Sequence, residues 1–321
     1  MKHSIKTLAF FSFFALAVTA SLAAKGSAEE ITIYAIKGPS GVSMIRLFEQ
    51  PPQAAGFQIR VEALAQADLI AAKFIAGEAK AGILPANVAA KIASSGKGIQ
   101  IAAVTGTGML SLLSADPAVT SIDDLRGKTV EVAGQGVTPD YVFRKILLRR
   151  GITPGEDITL SYSLAYPEIA QSLIAGRISL ALLPEPFATM ARAGKPELAL
   201  VGNIQDEWVK AGGEGNYPMT VLAVDAALAA AQPGLVAAIL DALRDSTEWV
   251  IHNPAEAGAL VEKHELGLKA QVTAAAIPRS SYVFIPAAEA QPSLEALYRA
   301  FLEFAPASIG GALPPDSFYL K

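Results

Sequence analysis

The chain has 321 residues, a formal net charge of −4 and no cysteine. The lack of cysteine excludes disulfides, thiolate nucleophiles, cysteine–zinc sites and lipid attachment through a cysteine. The acidic balance argues against nucleic acid or anionic lipid as a partner. Hydrophobic residues make up 52% of the chain and charged residues 17%, which is typical of a protein with buried parallel strands.

The beginning of the chain has the pattern of a secretory signal peptide. Lys2 and Lys6 precede an apolar stretch that ends near Ser21-Leu22-Ala23, an A-x-A-like cleavage site. The stretch is shorter than the roughly 20 residues that a membrane-spanning helix needs. We therefore expect residues 1–24 to be removed, with a mature start between residues 24 and 29. We also expect a periplasmic location, where a large core can stabilise a chain without disulfides.

Alternating apolar patterns predict an α/β fold. Before residue 105 they predict strands at 31–36, 57–64, 81–84 and 99–104, with helices at 42–48, 66–77 and 88–93. Beyond it they predict strands at 129–133, 157–162, 180–183 and 219–224, helices at 139–150 and 167–176, and a mainly helical region from 233. Thr138 is expected to be the N-cap of the helix at 139–150, because Pro139 suits its first turn.

One short pattern occurs twice, 99 residues apart: Ile75-Ala76-Gly77 with Leu84-Pro85, and Ile174-Ala175-Gly176 with Leu183-Pro184. In each copy the glycine ends a helix, an apolar run forms a buried strand, and the proline stops the strand. Ligands of open α/β sheets bind just past such carboxyl ends. The repeat predicts two similar lobes with a ligand cleft between them, unless helix–glycine–strand units recur here by chance.

The domain organisation follows from the length and the repeat. About 300 mature residues exceed what one hydrophobic core usually serves, so two lobes are expected. Lobe one is predicted to comprise residues 29–104 and 218–321, and lobe two residues 105–217. The two crossings, near Thr105 and Tyr217, would form a two-stranded hinge on which the lobes close over a ligand.

Three stretches resemble a known family of binding proteins. They are Asp124-Leu125-Arg126-Gly127-Lys128, Ala175-Gly176-Arg177 with Leu183-Pro184-Glu185-Pro186-Phe187, and His252-Asn253-Pro254-Ala255-Glu256-Ala257. In order and spacing they resemble the periplasmic substrate-binding proteins of ABC importers, of the nitrate, sulfonate, taurine and thiamine-precursor type. The resemblance implies a type II two-lobed fold in which each lobe is a mostly parallel sheet flanked by helices. It also implies that loops of both lobes hold a small ligand and deliver it to an ABC permease.

Four loops and the hinge are candidates for ligand contact. They contribute Gly38, Pro39, Ser40, Asn87, Thr105, Thr107, Gly134, Gln135, Thr138, Glu185 and Tyr217. The glycine loops precede helices, so their N–H groups can hold an anionic or carbonyl group. Three alternatives stay open: plain tight turns for the glycine loops, a helix cap for Glu185 and hinge packing for Tyr217.

The side chains in these loops indicate a ligand class. No arginine lies in the loops and Lys37 is their only cation, whereas anionic ligands often recruit arginine. A neutral or amino-bearing heterocycle, such as a thiamine-precursor pyrimidine, suits the available groups better: Glu185, Asn87 and Gln135, with Tyr141 or Phe187 nearby.

We expect a binding module rather than an enzyme. The two mature histidines, His252 and His264, fall in the C-terminal helical part, so no metal site, cofactor or histidine-based catalysis is predicted. The alternatives are an enzyme on the same fold, related to thiamine-pyrimidine synthesis, or a sensory module that presents its ligand to a membrane kinase. A monomer is expected. The segment from Ser308 to Tyr319 looks like a subgroup signature to which the sequence assigns no role.

Overall fold

Two mixed β-sheets with helices on their faces make up residues 28–321, the part of the chain that the computed structural model describes. The predicted signal peptide lies outside the described residues. The strands are β1 (Glu29–Ile36), β2 (Phe57–Leu64), β3 (Ala81–Pro85), β4 (Ile99–Thr107), β5 (Leu110–Ser114), β6 (Thr129–Val132), β7 (Thr159–Ser161), β8 (Leu180–Pro184), β9 (Ala199–Asn203), β10 (Pro218–Asp225) and β11 (Tyr282–Pro286).

The helices connect successive strands and then form the C-terminal part. They are α1 (Pro39–Ser43), α2 (Ile45–Glu49), α3 (Ala67–Ala76), α4 (Ala86–Ser94), α5 (Thr138–Arg149), α6 (Tyr166–Ile174), α7 (Phe187–Gly194), α8 (Ile204–Lys210), α9 (Ala226–Ala231), α10 (Pro233–His252), α11 (Pro254–Lys263), α12 (Ala270–Ala276) and α13 (Ala287–Leu302). Short 3₁₀ turns lie at Ile122–Leu125, Ile277–Arg279, Pro306–Ile309 and Asp316–Phe318. None of the helices within 28–321 is long and apolar enough to cross a membrane.

The two sheets define two lobes. The six-stranded sheet has the order β11-β4-β10-β3-β1-β2 and, with its helices, is called lobe one. The five-stranded sheet has the order β7-β6-β8-β5-β9 and is called lobe two. In lobe one β1 to β4 share a direction and β10 and β11 run opposite, whereas in lobe two β5 alone runs opposite. The predicted α/β class and the mostly parallel strand direction are confirmed.

The repeated pattern marks equivalent strands in the two lobes. β3 and β8 are buried along their whole length. Each pairs in parallel with one neighbour, β1 or β6, and antiparallel with a strand that adjoins a lobe crossing, β10 or β5. Gly77 and Gly176 end the preceding helices with φ of 79° and 69°, and Pro85 and Pro184 are the last strand residues. The residues that the repeat places after the strands, Asn87 and Glu185, therefore lie at the carboxyl ends of β3 and β8. The loop predicted after β3 is absent, because α4 begins at Ala86 and already includes Asn87.

The chain crosses between the lobes at two adjacent points. It leaves lobe one between β4 and β5 and returns just before β10, and Pro218 pairs with Thr107. Asn216 links the crossings, because its Oδ1 accepts from the Gly108 N–H at 2.9 Å and its Nδ2 donates to Thr107 Oγ1 at 2.8 Å. The Ser281 hydroxyl donates to the Gly108 carbonyl at 3.0 Å. These bonds fix the hinge on both sides.

Three strands were missing from the sequence-based expectation. β5 and β9 lie in stretches for which no strand was predicted, and β11 lies in the region predicted to be mainly helical. Each has five residues, and each is placed in a sheet by antiparallel pairing with a distant strand, which local periodicity does not reveal. The strand predicted at 157–162 is shortened to Thr159–Ser161. Thr138 was wrongly expected to be an N-cap: Val137 is the cap and Thr138 is the first helical residue.

The C-terminal segment, residues 306–321, returns to the sheet of lobe one. Tyr319 forms a parallel bridge with Ile101 of β4, and the Leu320 N–H donates to the Ile101 carbonyl at 2.9 Å. Gly310 has a φ of 86° and lies so close to Ser94 of α4 that any Cβ there would clash. The segment of unknown role therefore packs across lobe one beside α4.

Close packing of α11 on α12 should make Gly258 sensitive to substitution. A Cβ at Gly258 would clash with the backbone carbonyl oxygen of Ala270, whereas a Cβ at the helical Gly234 would meet nothing within 4 Å. We expect Gly258→Ala to lower the free energy of unfolding by about 1–3 kcal/mol, and Gly234→Ala to leave it unchanged or raise it by up to about 1 kcal/mol. Urea denaturation measures both, and equal effects of the two substitutions would contradict the packing described.

Candidate ligand-binding site

Asn87 and Thr138 meet directly across the two lobes. Asn87 follows β3 near the start of α4, and Thr138 begins α5 after the strand β6. The Thr138 hydroxyl donates to Asn87 Oδ1 at 2.9 Å, and Asn87 Nδ2 donates to the Gly136 carbonyl at 2.9 Å. The two side chains are 1% and 0% exposed. The structure thus brings together two predicted ligand residues, but as partners of one another.

The glycine loop of lobe two is held by its own helix. Asp140, which is buried, accepts from the Gly136 N–H at 2.8 Å and also from Arg144 Nε and the Tyr162 hydroxyl, both at 2.7 Å. Gly134 takes a φ of 73°, as a tight turn requires. Gln135 at the tip of the loop is exposed. The Gly136 N–H is therefore engaged by Asp140, which the sequence analysis did not select.

The glycine loop of lobe one touches lobe two. Ser40 is bonded within the loop, since its hydroxyl donates to the Ile36 carbonyl and accepts from the Ile36 N–H, both at 3.0 Å. Pro39 occupies the first helical position of α1. Gly38 has a φ of 120°, and a Cβ there would lie 3.1 Å from the Phe187 ring of lobe two. Phe187 in turn stacks on Tyr166, with ring centroids 5.7 Å apart. The lobes are therefore in contact at this loop.

The two hinge threonines have protein partners. Thr105 shares a hydrogen bond of 3.0 Å with the Thr220 hydroxyl of β10. Thr107 accepts from Asn216 and lies within the network that links the crossings. Both residues are buried. Their hydroxyls thus join neighbouring strands of the hinge.

Three buried tyrosines, Tyr217, Tyr282 and Tyr319, carry hydroxyls without a hydrogen-bond partner among the described residues. Tyr319 lies in the C-terminal segment beside Ile101, whereas the other two lie beside the hinge. Tyr217 is 1% exposed and Tyr282, at the start of β11, is 5% exposed. Tyr217 packs edge-on against Trp208 at 5.5 Å, and burial together with the neighbouring Tyr166 raises the pKa of its hydroxyl. Burial raises the pKa of the Tyr282 hydroxyl, the neighbouring Ser280 side chain lowers it, and the nearby charge of Glu185 raises it. Since buried polar groups are nearly always paired, the Tyr217 and Tyr282 hydroxyls are the strongest sign of a ligand site.

Glu185 follows β8 and lines a cavity of about 390 Å³ between the lobes and the hinge. Ser281 and Arg279 of lobe one and Arg192 of lobe two also line the cavity. Burial raises the pKa of the Glu185 carboxyl, while the Thr189 hydrogen bonds and the two arginines act in the opposite direction. Glu185 Oε2 accepts from the Thr189 N–H at 3.0 Å, which is the contact expected of a helix cap.

Sequence reasoning missed Tyr282, Arg192 and Arg279. Tyr282 was not considered because the strand β11 that carries it was not predicted. Arg192 lies in the second turn of α7, and Arg279 ends a 3₁₀ turn far along the chain, so neither belongs to a loop that follows a repeated strand. The one available signal was the spacing of Arg192 from Glu185, about two helical turns.

The two histidines within residues 28–321 lie elsewhere in lobe one. His252 Nδ1 lies 2.7 Å from the Glu248 carbonyl oxygen, and His264 lies beside Glu49. Within residues 28–321 there is no group of three or more His, Asp or Glu side chains that could hold a metal ion.

Comparisons with known proteins agree on the fold. The sequence profile of the NMT1-like family matches residues 53–263, and no curated protein sequence matches the chain. An ABC transporter protein of Parabacteroides distasonis is 24% identical with a TM-score of 0.75, covering 91% of this chain and 98% of that chain. The periplasmic aliphatic sulphonate binding protein SsuA of Escherichia coli is 14% identical with a TM-score of 0.71, covering 91% and 92%. The alkanesulfonate-binding protein SsuA of Xanthomonas axonopodis pv. citri, bound to MOPS, is 15% identical with a TM-score of 0.68, covering 87% and 94%.

The unpartnered hydroxyls make a prediction about stability without ligand. Tyr217→Phe and Tyr282→Phe each remove a buried hydroxyl that has no partner, so we expect the unfolding midpoint to stay level or rise. Tyr298→Phe is the matched control, because its hydroxyl donates to the Ala86 carbonyl at 2.9 Å. It should lower the free energy of unfolding by about 1–3 kcal/mol. Chemical denaturation of the three variants tests this, and a loss at Tyr217 or Tyr282 equal to that at Tyr298 would show that their hydroxyls are bonded.

Proposed function

Because the chain belongs to the NMT1-like family and has the two-lobed fold of periplasmic binding proteins, we propose that it is an extracytoplasmic solute-binding protein. It captures a small ligand between its lobes and delivers it to an ABC permease in the membrane. The family match and the fold of the solved relatives support a binding role. The relatives named above include an ABC transporter protein and two sulfonate-binding proteins.

The location and the domain boundaries are part of the same proposal. Residues 1–24 act as a signal peptide and the mature protein works in the periplasm as a monomer. Lobe one comprises residues 29–104 and 218–321, and lobe two residues 105–217. The membership of the two sheets supports a division at the two crossings, because strands up to β4 and from β10 onward belong to one sheet and those between them to the other. The first boundary differs by three residues, since β4 of lobe one runs to Thr107.

The ligand is held beside Glu185 and the nearby Tyr282 hydroxyl, with the Tyr217 hydroxyl as a further contact. The observation that carries this assignment is the pair of buried tyrosine hydroxyls without partners, because a ligand with polar groups would satisfy both. Tyr282 belongs to lobe one and Glu185 to lobe two, so a ligand between them would join the lobes. Glu185 also lines the cavity of about 390 Å³, a volume in the range of small-molecule sites.

A neutral or amino-bearing heterocycle suits this surrounding. The Glu185 carboxylate can accept from an amino or ring N–H group, and the tyrosine hydroxyls can donate to ring nitrogens or carbonyl oxygens. Phe187 and Tyr166 form a stacked aromatic pair beside Gly38 on which a flat ring could pack. Burial that raises the pKa of Glu185 also strengthens its hydrogen bonds to a donor.

An anionic ligand is the second candidate. Arg192 and Arg279 line the same cavity as Glu185, and guanidinium groups are well suited to sulfonate or carboxylate oxygens. The two ligand classes make opposite demands on Glu185, because its negative charge attracts an amino group and repels an anion.

The site has the character of a binding site rather than a catalytic centre. The polar groups of Asn87, Thr138 and Asp140 are held in hydrogen bonds within the protein. Neither of the described histidines lies near Glu185, and the chain has no cysteine. An incubated ligand should therefore be recovered unchanged.

Replacement of Glu185 by glutamine tests the binding site and the ligand class together. The ligand is first identified by native mass spectrometry of protein purified from its own periplasm, and its affinity is then measured by calorimetry. Glu185→Gln should lower the affinity for an amino-bearing ligand about ten- to a hundredfold, because a hydrogen bond to a charged group contributes about 1.5–3 kcal/mol. The unfolding midpoint without ligand should stay at or above that of the original protein, because burial disfavours the carboxylate.

Glu131→Gln is the matched control for this substitution. Glu131 is also a buried carboxylate of lobe two, but its Oε1 accepts from the Ser163 and Leu164 N–H groups, away from the cavity. It should leave affinity unchanged. Tighter ligand binding by Glu185→Gln would indicate an anionic ligand. Unchanged affinity together with lower stability would show that Glu185 is a helix cap and not a ligand contact.

A further inference from the structure

A second set of contacts joins the lobes along α5, beside the bond between Asn87 and Thr138. Lys145 of α5 is 4% exposed and donates to Glu303 Oε2, at the end of α13 in lobe one, at 2.8 Å. Tyr141, one turn after Thr138, packs against Phe301 and Phe304 with ring centroids 5.4 and 6.2 Å apart. One helix of lobe two therefore contacts lobe one through a hydrogen-bonded pair, an ion pair and an aromatic cluster.

Each half of this contact is held rigidly by its own lobe. On the side of lobe one, Asn87 Nδ2 also donates to the Ser308 carbonyl at 3.4 Å, and residues 306–309 pack against α4. On the side of lobe two, Asp140 holds the Gly136 N–H, so that the Gly136 carbonyl is presented to Asn87. The C-terminal segment without an assigned role thus supports the residue that reaches across.

We propose that these contacts form a clasp that holds the lobes closed and sets ligand affinity without touching the ligand. The clasp comprises Asn87 with Thr138 and Gly136, Lys145 with Glu303, and Tyr141 with Phe301 and Phe304. The inference rests on the proposed function, because it concerns the closure of the same site. It reassigns Asn87 and Thr138 from ligand contact to control of closure.

The chemistry of the clasp suits a contact that opens and closes. The covalent crossings lie elsewhere, at Thr107 and Pro218, so the clasp can separate without breaking the sheets. Its polar members are a threonine hydroxyl, an amide and an ion pair whose carboxylate is 56% exposed, and water can satisfy all of them when they part. The closed state is therefore favoured by these hydrogen bonds and the ion pair, together with the packing of Tyr141 on Phe301 and Phe304.

The clasp acts on affinity through the populations of open and closed protein. A ligand that is gripped by both lobes binds tightly only in the closed form, so apparent affinity falls as the closed fraction falls. Residues that do not line the cavity at Glu185 then tune affinity. This separates the clasp from Glu185 and the tyrosines, whose substitution would change ligand contact itself.

Distances between spin labels in the ligand-free protein test the clasp. The chain lacks cysteine, so the exposed positions Ala55→Cys in lobe one and Glu156→Cys in lobe two give unique labelling sites. We expect one short distance for the parent protein. Thr138→Val removes the hydroxyl that both donates to and accepts from Asn87, and Glu303→Gln removes the ion pair. Each should raise the ratio of open to closed protein, about tenfold for Thr138→Val.

Two matched variants remove the same groups away from the clasp. Thr247→Val removes a buried hydroxyl that donates to Leu243 within α10, and Glu295→Gln removes an ion pair with Arg299 within α13. Neither should change the distances. If Thr138→Val fails to fold, Glu303→Gln decides, because Glu303 is largely exposed.

Three results would overturn the clasp: a parent protein that is mostly open, a ratio that neither clasp variant changes, or an equal shift in the matched variants. All three results are measured without ligand, so they are independent of the test of the binding function at Glu185.

Discussion

Two buried strands, β3 and β8, fix the arrangement on which the rest of the molecule depends. Each is buried along its length and lies between a parallel neighbour and a strand that adjoins a crossing. A strand that is paired on both edges cannot slip in register without breaking its ladder hydrogen bonds to both neighbours. Its carboxyl end must therefore stay next to the hinge, and the residues that follow it, Asn87 and Glu185, must face the opposite lobe. The repeated sequence pattern marks the two strands that are held in this way.

The polar groups between the lobes divide into two kinds. Asn87, Thr138 and Asp140 satisfy one another or the loop beside them, and they make the closed arrangement stable. The hydroxyls of Tyr217 and Tyr282 have no partner in the described part of the chain. Burial of unpaired groups is unfavourable, so a protein that keeps them in its interior gains most when a ligand supplies the missing bonds. In this account one set of groups holds the lobes together and the other recognises what lies between them.

The sequence was sufficient for the parts of the fold that local patterns specify. The repeat, the helix-ending Gly77 and Gly176 and the fully apolar strands were all readable, because each depends on residues close together in the chain. Strand β11 was not readable, since its place depends on pairing with β4 far away, and with it Tyr282 was lost from the predicted site. That Asn87 and Thr138 follow strands of the two lobes was also readable, but not that both begin helices or that each is the partner of the other. Hydrogen bonding between distant segments leaves no periodic signal.

A crystal structure of the protein with its co-purified ligand would show directly what lies between the lobes. We expect a small molecule enclosed by both lobes, with polar atoms within hydrogen-bond distance of Glu185 and of the Tyr217 and Tyr282 hydroxyls. We also expect that Asn87 and Thr138 remain bonded to each other. A ligand that contacts one lobe alone, or one that inserts between Asn87 and Thr138 and leaves the tyrosine hydroxyls unpaired, would contradict the account.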